Sequence, residues 1–217
     1  VSTNADELVI EGTRSGMTFL AANDNFSYIN FGDDGAADRG TIRYGHSADS
    51  FSFQTAATEA MAISSIGAVT KPLQPAFLAT VSTTQSNIAD GHVQIVADNE
   101  IFDQNADYNT SNYTFTAPVT GKYSFQVNIT VSDLAINYQW VYCYIGTSNR
   151  TCFVSTIDPR SLATAGAYSL GGAILVDMDA NDTALLYFRS SAHGDNTVDI
   201  VSNTSNPETY FSGYLVA

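Results

Sequence analysis

The chain has 217 residues and a net charge of −14, from 22 acidic against 8 basic side chains. So acidic a surface gains nothing from phosphate neutralisation, which excludes nucleic acid and disfavours anionic membranes, and no apolar run approaches the ~20 residues of a membrane-spanning helix. At 44% hydrophobic residues the chain can build a core, and its Tyr, Phe, Val, Ile and Thr set among Asn, Ser, Gly and Asp clusters predict an all-β fold.

The chain opens on Val1 without a signal-peptide pattern, so a fragment or processed product is expected. From residue 1 to 70, short apolar beats recur at 8–10, 17–20, 28–31, 41–44, 51–53 and 61–63. Each is followed by Gly, Asp, Asn or Ser, which are turn formers. The insertion-like DDGAADR (33–39) interrupts them once. So few apolar residues per beat give one chain little core, and quasi-repetitive strands of this kind stack or wrap with identical neighbours. Residues 1–70 are expected to form an obligately oligomeric shaft, the alternative being a small, loosely packed β domain. Pro72 and Pro75 lack amide donors and suit a short stiff connector over 71–75.

From residue 76 the strands lengthen. Tyr123, Phe125, Val127, Ile129 and Val131 alternate with polar residues, the pattern of a half-buried antiparallel strand. It is entered through Pro118, which cannot donate within a ladder, and Gly121, which permits a turn conformation closed to other residues. Further strands are predicted at 75–81, 93–97, 138–145, 150–157, 170–178, 183–190 and 209–216, a count that fits a sandwich or jelly roll over 76–217. If Gly146–Asn149 form a hairpin loop, Ile145 opposes Arg150 and Cys143 opposes Cys152. A cross-strand disulfide and two reduced thiols acting as small hydrophobes both remain open.

The run YNTSNYTFTAPVTGKYSFQV (108–127) resembles the signature of the complement component 1q globular head, of the tumour-necrosis-factor-like jelly-roll superfamily. PAFLA (75–79), GGAILVDMDANDTALLYF (171–188) and FSGYLV (211–216) match it in the same order. The resemblance spans Pro75 to Ala217 and implies a ten-stranded jelly roll that assembles as a tight homotrimer. Asn112 stands where the family usually has Gly, so left-handed backbone is expected there. Separately, GTIRYGHSADSFSFQT (40–55) and EAMAISSIGAVT (59–70) resemble the shaft of a bacteriophage tail fibre. Together the two resemblances imply a trimeric shaft and head at the virion's fibre tip, a receptor-binding protein for a bacterial surface glycan or outer-membrane component. The alternatives are a secreted complement-like lectin or adhesion module of an animal, whose secretory pathway could glycosylate the N-x-S/T sites, and a glycan-degrading tail spike.

No catalytic constellation emerges. His46, His92 and His193 fall in loops or at strand edges, and Ser191, His193 and Asp195 crowd one short loop where a triad needs separate supports. Paired carboxylates of a glycosidase find no deep cleft in this pattern to hold a sugar chain. Asp177, Asp179 and Asn181 mimic a calcium loop, but Phe188 stands where its bidentate Glu belongs, so a tight turn is the expectation. No enzyme activity and no cofactor are expected. Calcium bridging carboxylates at the apex would offset the repulsion among three copies each at −14.

Binding surfaces are more informative. On the predicted strand 138–145, Tyr138, Trp140, Tyr142 and Tyr144 share one face, expected to meet a sister subunit or to stack on a ligand. Val141, Cys143 and Ile145 on the other face would enter the core. Topology directs the loops 132–137, 158–169 and 191–208 away from the shaft. Their Asp133, Asn137, Asp158, Arg160, Tyr168, His193, Asp195, Asn196 and Asn203 are the predicted ligands for a hydroxyl-rich receptor.

Overall fold

The computed structural model describes residues 10–191 and 196–217. The chain divides into two compact units, Val1–Leu73 and Gln74–Ala217. In the first, β1 (Phe26–Phe31), β2 (Gly40–Gly45), β3 (Ser50–Thr55), β4 (Thr58–Ile63) and β5 (Val69–Thr70) form one antiparallel sheet in sequence order. The insertion between β1 and β2 is closed by Asp33, whose Oδ1 accepts the amides of Gly35 and Ala36, both at 2.8 Å. β3 turns into β4 through Ala56 and Ala57, both left-handed at φ +48° and +60°. That turn matches the twist of the strands but ordinarily recruits Asn or Gly.

The sheet is one layer thick. Among the described residues of this unit the buried ones are Thr41, Gly45 and Ser52, and no hydrophobic side chain is buried. Of the two predicted beats before β1, that at 8–10 lies mostly outside the described residues, and Met17–Leu20 forms no strand. Leu20 in this stretch is 91% exposed.

The second unit contains β6 (Ala76–Thr80), β7 (Gln85–Ile88), β8 (Gly91–Gln94), β9 (Asn99–Asp103), β10 (Tyr108–Asn109) and β11 (Thr114–Thr116). It continues with β12 (Gly121–Leu134), β13 (Val141–Thr147), β14 (Thr151–Ile157), β15 (Gly166–Met178), β16 (Thr183–Ser190), β17 (Val198–Ile200) and β18 (Tyr210–Leu215). One sheet runs β10-β11-β16-β13-β14 with β8 also on β16. The other is centred on β12, which pairs β15 on one side and β18 and β17 on the other, and continues to β6 and β9. Two antiparallel sheets with this crossing connectivity are a jelly roll. The expected ten strands arrive in more segments, because left-handed residues at Asn87, Gly91, Ala106 and Tyr113 cut the early strands short.

Tyr123, Phe125, Val127, Ile129 and Val131 all point into the core, as their alternation requires. Phe77 stacks on Tyr108 and Phe115 at centroid distances of 4.8 and 5.0 Å and meets Phe211 edge-on at 5.0 Å. Tyr108 places its hydroxyl inside by donating to the Ala97 carbonyl at 2.8 Å.

Three local expectations are corrected. The left-handed residue before β11 is Tyr113, at φ +59°, and not Asn112, because the Tyr113 amide must close the turn onto the Asn109 carbonyl at 2.7 Å. Gly121 is not left-handed; a Cβ there would come within 2.7 Å of both the Ala217 carbonyl and a Leu215 methyl, so glycine serves close approach of the C-terminal segment. In the β13–β14 hairpin Ile145 faces Cys152, and a bulge then sets Cys143 against Ser155. The two cysteines do not oppose each other, and both are free and buried.

Candidate functional site

The register gathers several loops at one end of the sandwich. Leu134 pairs Gly166, Val141 pairs both Ile157 and Ser190, and Asn128 pairs Tyr210, so the connections 135–140, 158–165 and 201–209 leave the same edge, at which β16 also ends. The chain enters the unit at the opposite end, where the Leu215 amide donates to the Pro75 carbonyl at 3.0 Å.

Four of the nine predicted ligand residues are paired with one another, and two more bond to other neighbours. Asp158 caps a 3-10 turn over Pro159–Ser161 and pairs with Arg160 at 2.8 Å. The Arg160 guanidinium, helped by the Arg160 amide, holds the Asp158 carboxyl below the ordinary carboxylate range. Asn196 donates to the Asn137 side chain at 3.0 Å, and Asn203 donates to Glu208 at 2.9 Å. Tyr168 lies within β15, its hydroxyl donating to the Thr164 carbonyl at 2.6 Å. Asp133 sits in a left-handed bulge of β12, at φ +59°, and is exposed. His193 and Asp195 lie outside the described residues.

The aromatic face is rearranged from the prediction. β13 begins at Val141, and residues 135–140 turn before it, so the alternation does not extend back to Tyr138. Tyr138 is fully buried in the core, its hydroxyl without a partner. Burial accordingly raises its phenol pKa. Val141, Cys143 and Ile145 are buried beside it as expected, leaving Trp140 and Tyr142 half-buried on the outer side and Tyr144 on the same face but buried under its neighbours.

Cross-strand neighbours enlarge that outer surface. One row across the sheet reads His92, Arg189, Tyr142, Thr156, and the next reads Gln94, Tyr187, Tyr144, Phe153. Tyr144 and Tyr187 stack at 5.0 Å, Trp140 stacks on Tyr142 at 5.0 Å, and Phe153 meets Tyr142 edge-on at 4.9 Å. The Arg189 guanidinium lies 4.9 Å from the Trp140 ring and 5.7 Å from that of Tyr142, and its Nη1 donates to the Tyr142 hydroxyl at 2.6 Å. His92 Nδ1 and the Tyr144 hydroxyl share a 2.8 Å hydrogen bond. Gly146 keeps the floor flat, since a Cβ there would press the Tyr187 ring at 3.1 Å. Arg189 and Tyr187 escaped sequence reasoning because they lie more than forty positions from Trp140 and meet it only through the β13–β16 register.

The outer side of the other sheet carries a second surface that sequence reasoning missed. Leu78, Phe102, Tyr210 and Tyr214, from β6, β9 and β18, line a groove of about 500 Å³ with Gln126 and Ser212 at its polar margin. Phe102 is 47% and Tyr214 46% exposed, too much apolar area for a face meant only for water. No single segment signals it, because each strand supplies only one or two of these residues.

Among the described residues no three His, Cys, Asp or Glu side chains gather to hold an ion. The Asp177–Asn181 stretch is the tight turn expected, with Asn181 left-handed at φ +74° and the Asp179 amide donating to Asp182 at 2.8 Å. Asp177 itself pairs with Arg150 at 2.9 Å.

Comparison with known proteins locates this architecture. No curated protein matches the chain. Similar solved structures include the globular domain of zebrafish complement 1qA, 15% identical over 66% of this chain and 98% of its own, with a TM-score of 0.47. Murine APRIL at pH 8.0 is 9% identical over 66% of this chain and 99% of its own, with a TM-score of 0.46. The C1q domain model matches residues 76–216, nearly the whole second unit. With the jelly-roll topology above, that match means that the chain belongs to the C1q domain family, whose members are generally binding modules and not enzymes.

Proposed function

We propose that this chain is the receptor-binding end of a bacteriophage tail fibre. Its residues 1–70 form a homotrimeric shaft, and its C1q domain attaches the virion to a glycan or outer-membrane component of the bacterial surface. The observation that carries this reading is the single-layered sheet of the first unit. Phe26, Tyr28, Ile29, Phe31 and Phe51 are all exposed on it, and no hydrophobic side chain is buried within it. A sheet with an apolar face buries it against a second layer, and in this reading other copies of the chain supply that layer.

C1q/TNF-like domains typically form trimers, and the groove of Leu78, Phe102, Tyr210 and Tyr214 gives the head an apolar face for self-association. The Trp140 surface is then free for a receptor, unlike in a reading that spends it on the trimer. Weak sites suffice on a multivalent fibre. A millimolar contact is worth about −4 kcal/mol, and linked copies multiply adhesion through effective concentration.

Binding of the labelled chain to a panel of intact bacterial strains, with animal cells as control, tests this. Saturable binding to a narrow set of strains without release of sugar is the expected result. Binding confined to animal cells would overturn it.

A further inference from the structure

We propose that the Trp140–Arg189 platform on the β8–β16–β13–β14 sheet is a binding site for a carboxylate-bearing saccharide. This rests on the reading of the head as a receptor-binding module and assigns it a ligand class and a place distinct from the loop residues.

The platform combines two features. The first is a cation with unfilled capacity. Arg39, Arg43, Arg150 and Arg160 each pair with a carboxylate, at 3.2, 3.7, 2.9 and 2.8 Å. Arg189 has no such partner among the described residues, in a chain with 22 acidic side chains. Its Nε–H is buried without an acceptor, while Nη1 donates to the Tyr142 hydroxyl. Trp140 and Tyr142 fix the guanidinium in place, so little freedom is lost when an anion docks, and its planar fork matches a carboxylate.

The second feature is a flat apolar floor with a polar margin. Phe153 is 59% exposed beside Tyr142 and Tyr144. Its ring offers a surface to the C–H face of a pyranose. His92 and Thr156, exposed at either end of the Arg189 row, offer hydrogen bonds to hydroxyls. An aromatic floor, hydroxyl partners at its edge and one fixed cation are complementary to an acidic sugar. A neutral sugar would leave the guanidinium unpaired, and a purely apolar partner would bury it without a counter-charge. The Arg189 row also adjoins the edge where the 135–140 connection emerges, since Gly91 and Val141 both pair with Ser190. A ligand there is within reach of the end that the chain's entry leaves free.

Trp140 is the single tryptophan, so fluorescence excited selectively at tryptophan, apart from the 12 tyrosines, reports this site. The full chain is titrated with oligogalacturonate and with its methyl ester as the uncharged control. The expected result is a saturable change in the millimolar range with the acid and none with the ester. Affinity should fall at least tenfold in Arg189→Gln and in Phe153→Ala, with partial recovery in Arg189→Lys. Phe153 lies outside the core, so its variant stays folded if the packing of Arg189 proves essential. No saturable change, equal response to the ester, or unchanged affinity in both variants overturns the proposal. So does self-association that Phe153→Ala abolishes, which would make the platform a contact between copies. Bacterial binding that survives both variants removes the platform and leaves the fibre-tip reading standing. Oligogalacturonate binding without attachment to any bacterium does the reverse.

Discussion

The two units are built from the same element, a short antiparallel strand closed by Asp, Asn or Ala turns, and they handle burial in opposite ways. In the head, β12 buries five alternate side chains against a facing sheet, and six aromatic rings interlock. In the first unit the same alternation has nothing to face, and Phe31 stands 58% exposed on its edge strand. Strand patterning therefore fixes which side chains share a face, whereas a second layer decides whether that face is stabilising. One unit contains its second layer; in the proposal above, the other obtains it from identical chains.

The largest test of that contrast is a pair of truncations. Phe115→Ala should cost the head about 3–5 kcal/mol, read from urea unfolding, because the fully buried ring leaves a cavity. Phe31→Ala should cost well under about 1 kcal/mol in a single chain but several times that in an assembled shaft. A small effect in the assembled protein would show that the first unit is not covered by its neighbours.

Alkaline titration separates the units next. Burial pushes the Cys143 thiol from its ordinary 9.0 to about 11. The folded head holds this proton when the unfolded chain has released it, so the contribution is complete below pH 9 and is lost as pH rises through about 11. It amounts to about 2–3 kcal/mol, and Cys143→Ala should remove that part of the alkaline loss. The first unit contains no cysteine and should be indifferent to the exchange.

A smaller effect sharpens the comparison from the other side. Ala57→Gly relieves a left-handed alanine at φ +60° and should stabilise the first unit by about 1 kcal/mol without touching the head. The smallest belongs to the head's surface. Arg150→Ala breaks an exposed pair with Asp177 and should change stability by less than about 1 kcal/mol.

The parts legible in the sequence were those set by local chemistry. The alternation from Tyr123 to Val131 gave the central strand and its buried face, and the Asp-Ala-Asn-Asp run gave its turn. The aliphatic face of β13 was legible for the same reason. What escaped depended on register. The hairpin register pairs Gly146 with Thr151 and so sets Cys152 against Ile145, a bulge then carries Cys143 on to Ser155, and the turn at 135–140 rotates Tyr138 into the core. Neither surface of the head could be read from one segment, since Arg189 reaches Trp140, and Phe102 reaches Tyr214, only after strands distant in sequence have paired. Of the loop candidates, Asp158, Asn137 and Asn203 are engaged with neighbours that spacing alone does not name.

The most direct test of the central claim is the solution mass of the full chain, measured by light scattering across a hundredfold dilution with the melting of the first unit followed in parallel. The account predicts three times the chain mass of 23.2 kDa, with a first-unit melting point that falls on dilution, as linkage to assembly requires. A monomer whose first unit melts cooperatively and independently of concentration would contradict it.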